Sequence, residues 1–180
     1  MRCCDEFRRG VIHRFTDEFS GRTAFHLVAM GIVTDPRQEV NSVDFKLELV
    51  VVPVSDVDRA KAFYQEKAGF NVDVDHRAGD AFRVVQLTPP GSACSITIGT
   101  GLTKSEPGSY QGLHLVVTDI EAARAELAGR GVDIGEPFHF GAEGQAPGLH
   151  PERADYGTYL TFSDPDGNVW LVQEVKHHVR

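Results

Sequence analysis

Residues 50–64, which read VVVPVSDVDRAKAFY, decide the fold of this chain. The β-branched run at the start of the stretch predicts a strand, and the polar SDVD sequence after it predicts the beginning of a helix. Val57, Ala60 and Tyr64 stand at positions i, i+3 and i+7, so they form one apolar stripe along that helix. We therefore expect a strand that leads directly into a helix over about 56–68.

The remainder of the first half has strong boundary signals. Ser55 and Asp58 have the spacing of a capping box, so we expect Ser55 to cap the helix. Gly69 is expected to end it. Three short strands are predicted after this glycine, at about 70–75, 81–87 and 93–99.

The second half repeats this order. Residues 115–121 read LVVTDIE, in which Thr118 and Glu121 form a second capping box at the start of a helix over about 119–130. Ile120, Ala123 and Leu127 repeat the apolar stripe. Strands are predicted at about 112–117, 132–140, 157–162 and 168–175, with a loop over 141–156. A repeat of the whole order predicts two βαβββ modules, at 46–99 and 111–175.

Residues 164–168, which read DPDGN, have the composition of a type I turn between the last two strands. With this turn and the two strand-to-helix stretches, residues 44–176 resemble the glyoxalase/bleomycin-resistance/dioxygenase superfamily, also called the vicinal oxygen chelate superfamily. The resemblance implies an α+β fold in which tandem βαβββ modules form a curved mixed-sheet cup with the helices outside. It is much less informative about function, because one scaffold serves many chemistries.

The resemblance also implies where metal ligands would stand in the metal-dependent members. Those four positions are Leu49, Ser95, Gly112 and Leu171 in this chain. A divalent metal needs several imidazole or carboxylate donors, and leucine and glycine side chains offer none. We therefore expect no metal and no other cofactor, and a cup with an apolar floor that suits an organic ligand.

Two polar residues share strands with these positions. His114 follows Gly112 by two residues, so it is expected on the same face. There it either contacts a ligand, or acts as an acid or base in a reaction, or is partly buried with its hydrogen bonds satisfied. Gln173 shares the face of Leu171 in the same way and either orients a ligand or lies at the solvated rim. The predicted ligand-binding set is Leu49, Ser95, Gly112, His114, Leu171 and Gln173.

Trp170, Tyr159 and the residues around the long loop are further candidate positions. Trp170 alternates with Leu171 and is expected to face the helices, whereas the face of Tyr159 is undetermined. His139 and His150 lie in or near the long loop with Glu152 and Asp155; the spacing matches no motif, which favours a solvated loop over a metal or substrate site.

Composition limits the class of protein. The net charge of −8 opposes binding to nucleic acid, and no apolar run approaches the roughly 20 residues of a membrane span. The three cysteines form no disulfide framework, which favours a soluble protein of the reducing cytoplasm.

Residues 43–180 are expected to form a single domain. Residues 1–42 are interpreted either as an extension, partly ordered at best, or as residues upstream of a true start at Met30 or Val43.

Two functions remain open on this basis. The first is a binding protein whose cup sequesters a small organic compound or antibiotic, as bleomycin-binding members of the superfamily do. The second is a glyoxalase-like lyase or isomerase, either metal-free with His114 as acid/base or with a metal at atypical ligands. In both cases the expected assembly is a homodimer, because two-fold pairing is the commonest assembly and relatives often complete their cups by pairing.

Overall fold

The computed structural model describes residues 43–177, of which 44–177 belong to one compact unit. The expected extension, residues 1–42, lies outside the described residues. Within 43–177, no helix has the length and apolar character needed to span a membrane. The elements in chain order are β1 (Leu49–Val51), α1 (Val57–Ala62), β2 (Asn71–Ala78), β3 (Phe82–Thr88), β4 (Ser95–Thr100), β5 (Gln111–Val117), α2 (Ile120–Gly129), β6 (Phe138–Gly141), β7 (Gly144–Pro147), β8 (Thr158–Ser163) and β9 (Val169–Glu174).

Each module builds a sheet of its own. The first sheet has the strand order β1-β4-β3-β2, and the second has the order β5-β9-β8-β6-β7. The pairs β1/β4 and β5/β9 are parallel, while the other pairs are antiparallel. Both sheets are therefore mixed, and the predicted α+β architecture of two repeated modules is confirmed. The first strand of each module, β1 and β5, lies at a sheet edge.

Aspartates cap both helices, which corrects the predicted capping boxes. Asp56 accepts hydrogen bonds from the backbone N–H groups of Asp58 and Arg59, and Asp119 does the same for the second helix. Aspartate is as good an N-cap as serine, and here it leaves the Ser55 hydroxyl free to donate to Asp166, 2.5 Å away. The predicted stop signals are correct, because Gly69 and Gly131 both have a left-handed φ, at 78° and 79°.

The first helix widens at its end. A π-helical turn over Phe63–Lys67 continues α1, and the backbone N–H of Ala68 donates to the carbonyl of Phe63 at 2.9 Å. Such a turn rotates consecutive residues more closely onto one side of the helix than a regular α-helix does. Phe63 and Tyr64 are consequently both buried, at 8% and 0% exposure.

The segment before the second sheet's hairpin differs from the prediction. The strand expected over 132–140 begins only at Phe138, although Val132 and Ile134 are buried and Ile134 forms one isolated bridge to Phe162. Pro137 interrupts the run, since proline lacks an N–H for a ladder. The loop expected over 141–156 contains β7, which pairs with β6 in a hairpin.

The two modules share one core. The buried faces of both sheets and the stripes of both helices belong to a single apolar cluster. Aromatic rings join the halves directly: the centroids of Phe70 and Trp170 are 5.7 Å apart, and those of Phe63 and Phe162 are 6.3 Å apart. Trp170 thus faces the helices, as its alternation with Leu171 predicted.

A buried polar network crosses the same boundary. The Asp164 carboxylate accepts hydrogen bonds from the Tyr64 hydroxyl at 2.8 Å and from the Asn168 side-chain amide at 2.7 Å. The Asn168 amide also donates to the carbonyl of Pro53, and the Trp170 indole donates to the Tyr64 hydroxyl. Burial, followed by the neighbouring Asp164 charge, raises the pKa of Tyr64 far above its usual value.

We predict that Tyr64→Phe lowers the free energy of unfolding by about 1–3 kcal/mol, because the buried Asp164 carboxylate would lose a donor. Urea denaturation would measure the change. Tyr110→Phe is the matched control, since Tyr110 is only half-buried and contacts Asn168 through its backbone N–H, which the substitution keeps. Equal stabilities for the Tyr64→Phe and Tyr110→Phe variants would contradict a structural role for the Tyr64 hydroxyl.

Candidate functional site

Each sheet packs one face against the helices and leaves the opposite face open. On β8, Leu160 and Phe162 are buried in the core, and the alternating Tyr159 and Thr161 therefore lie on the open face. Strand register aligns the open-face residues of the second sheet in two rows. One row is Val116, Gln173, Tyr159 and Phe138, and the other is His114, Leu171 and Thr161.

The strand register makes His114 and Leu171 partners, whereas Gly112 lies at an irregularity and has no partner in the register. His114 pairs directly with Leu171 across β5 and β9. The pairing shifts between Gln111 and Leu113, where Gly112 adopts a left-handed φ of 93°. Nothing lies within 4 Å of a Cβ placed on Gly112, so its backbone conformation, not crowding, favours glycine there.

The other two predicted positions lie together on the first sheet. Leu49 and Ser95 are register partners across β1 and β4. The Ser95 hydroxyl accepts a hydrogen bond from the Gln86 amide at 3.1 Å and lies 2.7 Å from the Thr88 hydroxyl. Thr97 on the same strand is 4% exposed, and its hydroxyl has no hydrogen-bond partner within the described residues. This part of the floor is polar, contrary to the expectation of an apolar floor.

The predicted set is thus divided between two sheets. Leu49 and Ser95 belong to the first sheet, whereas Gly112, His114, Leu171 and Gln173 belong to the second. His114 is exposed and lines a cleft of about 490 Å³. The opposite wall of this cleft is the turn over residues 89–94, which comes from the first module and includes the free thiol of Cys94.

Gln173 is fixed by a small network with two tyrosines. Its amide donates to the Tyr159 hydroxyl at 3.0 Å and to the carbonyl of Tyr156 at 3.3 Å. The Tyr159 hydroxyl donates in turn to the same carbonyl at 2.7 Å. Gln173 and Tyr159 are therefore held in one orientation on the open face.

An aromatic cluster that the sequence analysis missed lies beside this network. Phe138, Phe140 and Tyr159 form the cluster, and their ring centroids lie 5.6–5.8 Å apart. Phe138 and Tyr159 are stacked, whereas Phe140 meets both rings edge-on and is 57% exposed. The alternation of phenylalanines at 138 and 140 was the available signal.

The loop before β8 is anchored by a partly buried ion pair. Arg153 donates to both oxygens of the Glu174 carboxylate, at 2.7 and 3.2 Å, and also to Glu121. The Glu174 side chain is buried, and the hydrogen bonds from Arg153 lower its pKa. Arg153 and Tyr156 both have a left-handed φ, at 48° and 62°, which is a costly conformation for side chains of their size.

The histidines near this loop form a pair. The ring centroids of His139 and His150 lie 5.8 Å apart. His139 approaches the carbonyl of Gly148 at 3.1 Å, and His150 accepts a hydrogen bond from the backbone N–H of Glu152. Across residues 43–177, no group of three or more His, Cys, Asp or Glu side chains is placed to hold a metal ion.

Comparison with known proteins identifies the family. A model of the Glyoxalase/Bleomycin resistance protein/Dioxygenase superfamily matches residues 46–172. The chain belongs to this superfamily. The chain is also similar in sequence to the uncharacterized protein YetH of Bacillus subtilis (strain 168), with 28% identity over 127 residues, which are 69% of this chain and 94% of YetH.

Two solved structures extend the comparison. TnmS3, an antibiotic binding protein from Streptomyces sp. CB03234, is 33% identical and superposes with a TM-score of 0.59 over 74% of this chain and 98% of TnmS3. A glyoxalase/bleomycin resistance protein from the same organism is 34% identical, with a TM-score of 0.55 over 72% of this chain and all of that protein (100%).

We predict that Glu174→Gln destabilises the protein by about 1–3 kcal/mol at neutral pH, because the buried Glu174 side chain loses its charge-assisted pair with Arg153. Since the folded pKa of Glu174 lies below the ordinary value of 4.5, the wild-type advantage is present above that value. It should disappear as the pH falls through the lower folded pKa. Thermal unfolding of both proteins from pH 7 to pH 3 would measure this. Glu126→Gln, at an exposed helical pair, is the control. A difference that persists unchanged at low pH would contradict the ionic role.

Proposed function

We propose that this superfamily member binds a small organic compound, such as an antibiotic, at the open sheet faces and without a metal at the family's ligand positions. The observation that carries this proposal is the chemistry of the residues at those positions. The register pairs Leu49 with Ser95 on one sheet and His114 with Leu171 on the other.

These residues do not fit a metal ion. Two of the four positions carry hydrocarbon side chains, and Gly112 carries none. The Ser95 hydroxyl, the remaining donor, is already engaged with Gln86 and Thr88. A divalent cation would therefore lack the anionic or imidazole ligands that offset its loss of water. Leu49 and Leu171 instead offer apolar contact to an organic molecule.

The similarity to TnmS3 supports a binding function over an enzymatic one. That relative is an antibiotic binding protein, and the likeness extends over nearly all of its chain. On the present chain, His114 and Gln173 are the polar groups beside Leu171 that would orient a ligand. Cys94 is a free thiol, which is consistent with the reducing cytoplasm that we propose as the location.

The binding proposal is tested on the full chain by elemental analysis and a thermal-shift screen of organic compounds. We expect no stoichiometric metal, and a compound at 100 times its dissociation constant should add about 2.7 kcal/mol of stability. His114→Ala should weaken that compound's binding by about 0.5–1.5 kcal/mol. His177→Ala is the control, since His177 is exposed and follows the last strand of the second sheet. Stoichiometric metal that is required for binding would favour the lyase or isomerase alternative instead.

We propose further that two chains complete the site as a homodimer. Both β1 and β5 are edge strands, and apolar side chains are exposed on or beside them: Phe45 at 92%, Leu47 at 69% and Val116 at 45%. Edge strands with such residues pair readily with another chain. Strand pairing between two copies would bring the Leu49–Ser95 group of one chain towards the His114–Leu171 group of its partner.

Sedimentation equilibrium should therefore give about twice the chain mass of 19.8 kDa. Leu47→Asp should shift the protein towards the monomer, because it places a charge in the apolar contact. Phe82→Asp is the control, since Phe82 is exposed on a strand that is not at this edge. A monomeric wild-type protein would rule out the homodimer.

A further inference from the structure

The aromatic cluster of Phe138, Phe140 and Tyr159 has no role in holding the core together. It lies on the open face of the second sheet, opposite the buried Leu160 and Phe162. Phe140 exposes more than half of its surface, at 57%. Three adjacent aromatic rings on the open side of a sheet form an exposed apolar patch, and such patches commonly mark binding sites.

A cleft opens directly beside the cluster. It measures about 570 Å³, and Phe138, Pro147 and Thr161 contribute to its walls. Phe138 and Pro147 are register partners, so they present their side chains on the same face as Tyr159. This volume falls within the roughly 300–1,000 Å³ typical of pockets for small ligands.

The cleft is electrically neutral. Glu136 is the charged residue among those that line it, and its carboxylate is paired with the guanidinium of Arg124. Gln145 and Thr161 add an amide and a hydroxyl that can hydrogen-bond an oxygen atom of a ligand. The lining therefore favours an uncharged molecule with at least one polar oxygen.

Tyr159 is held in position before any ligand arrives. Its hydroxyl donates to the carbonyl of Tyr156 and accepts from Gln173. Tyr156 is itself kept in a left-handed conformation within the loop that Arg153 anchors to Glu174. A ring fixed in this way loses little conformational entropy when a ligand stacks on it.

We infer that Phe138, Phe140 and Tyr159 form a stacking site for a neutral, planar aromatic compound that carries a carbonyl or hydroxyl oxygen. This inference rests on the proposed binding function and specifies the chemical class of the ligand. Planar rings gain by offset or edge-to-face contact with such a cluster, whereas saturated or twisted molecules of equal size gain less.

Flavone and flavanone test this inference as a matched pair. Both are neutral ketones, but flavone is planar, and saturation of one carbon–carbon bond makes flavanone non-planar. Equilibrium dialysis against the full-length protein should show tighter binding of flavone. Phe140→Leu should weaken flavone binding about threefold to tenfold, because it keeps apolar area but removes the ring. Phe140→Trp should retain the affinity, and Phe82→Leu, at an exposed phenylalanine of the first sheet, should leave it unchanged.

The outcomes separate this inference from the proposed function. Equal binding of flavone and flavanone, or unchanged flavone affinity in Phe140→Leu, would overturn the stacking site. If only non-aromatic compounds stabilise the wild-type protein, the stacking site is wrong and the binding function stands. If no organic compound stabilises it, both are wrong. A Phe140→Leu variant that becomes monomeric would show that the cluster is a contact between two copies, which also overturns the inference.

Discussion

The hydrogen bond between the Tyr64 hydroxyl and the Asp164 carboxylate is the constraint on which the arrangement of the modules depends. Tyr64 comes from the first helix, and Asp164 opens the turn between the last two strands, where it also accepts the backbone N–H of Asn168. The Asn168 side-chain amide then donates to the carbonyl of Pro53, two residues after the first strand. Because these groups are buried, each missing partner would leave an unsatisfied polar atom, and relative sliding of the modules is costly.

Each module also contains an arginine that forms ion pairs with two carboxylates. Arg83 binds Asp58 in the first turn of α1 and also Asp75 on β2. The hydrogen bonds that Asp75 accepts from Arg83 and then from Lys61 hold its pKa well below the usual value. Arg153 binds Glu121 in the first turn of α2 and also Glu174. In each module an arginine thus joins the acidic start of the helix to its own sheet, although the arginines come from different elements.

The sequence predicts those features of the structure that depend on neighbouring residues, and it fails where a feature depends on contacts between distant residues. The apolar stripe of Ala60 and Tyr64 depends on helical spacing alone, and both residues are fully buried as predicted. The cap is harder to predict, since Ser55 and Asp56 compete for it and the contact of Ser55 with Asp166 comes from the other end of the chain. Strand β7 was missed because its sequence, GQAP, contains glycine, alanine and proline, which are depleted in strands, and its place depends on pairing with β6.

The candidate site was predictable only in part, because it depends on both local alternation and the pairing of distant strands. Alternation places His114 and Leu171 on one face, but strand register is a tertiary property, and the shift at Gly112 could not be inferred from spacing. The aromatic cluster needs two strands to pair: Phe138 and Phe140 lie on β6, and Tyr159 is brought beside them by the register of β8. One face of each sheet carries the shared core and the Tyr64 network. The opposite face is free of that packing, and its residues can change with the ligand while the fold remains stable.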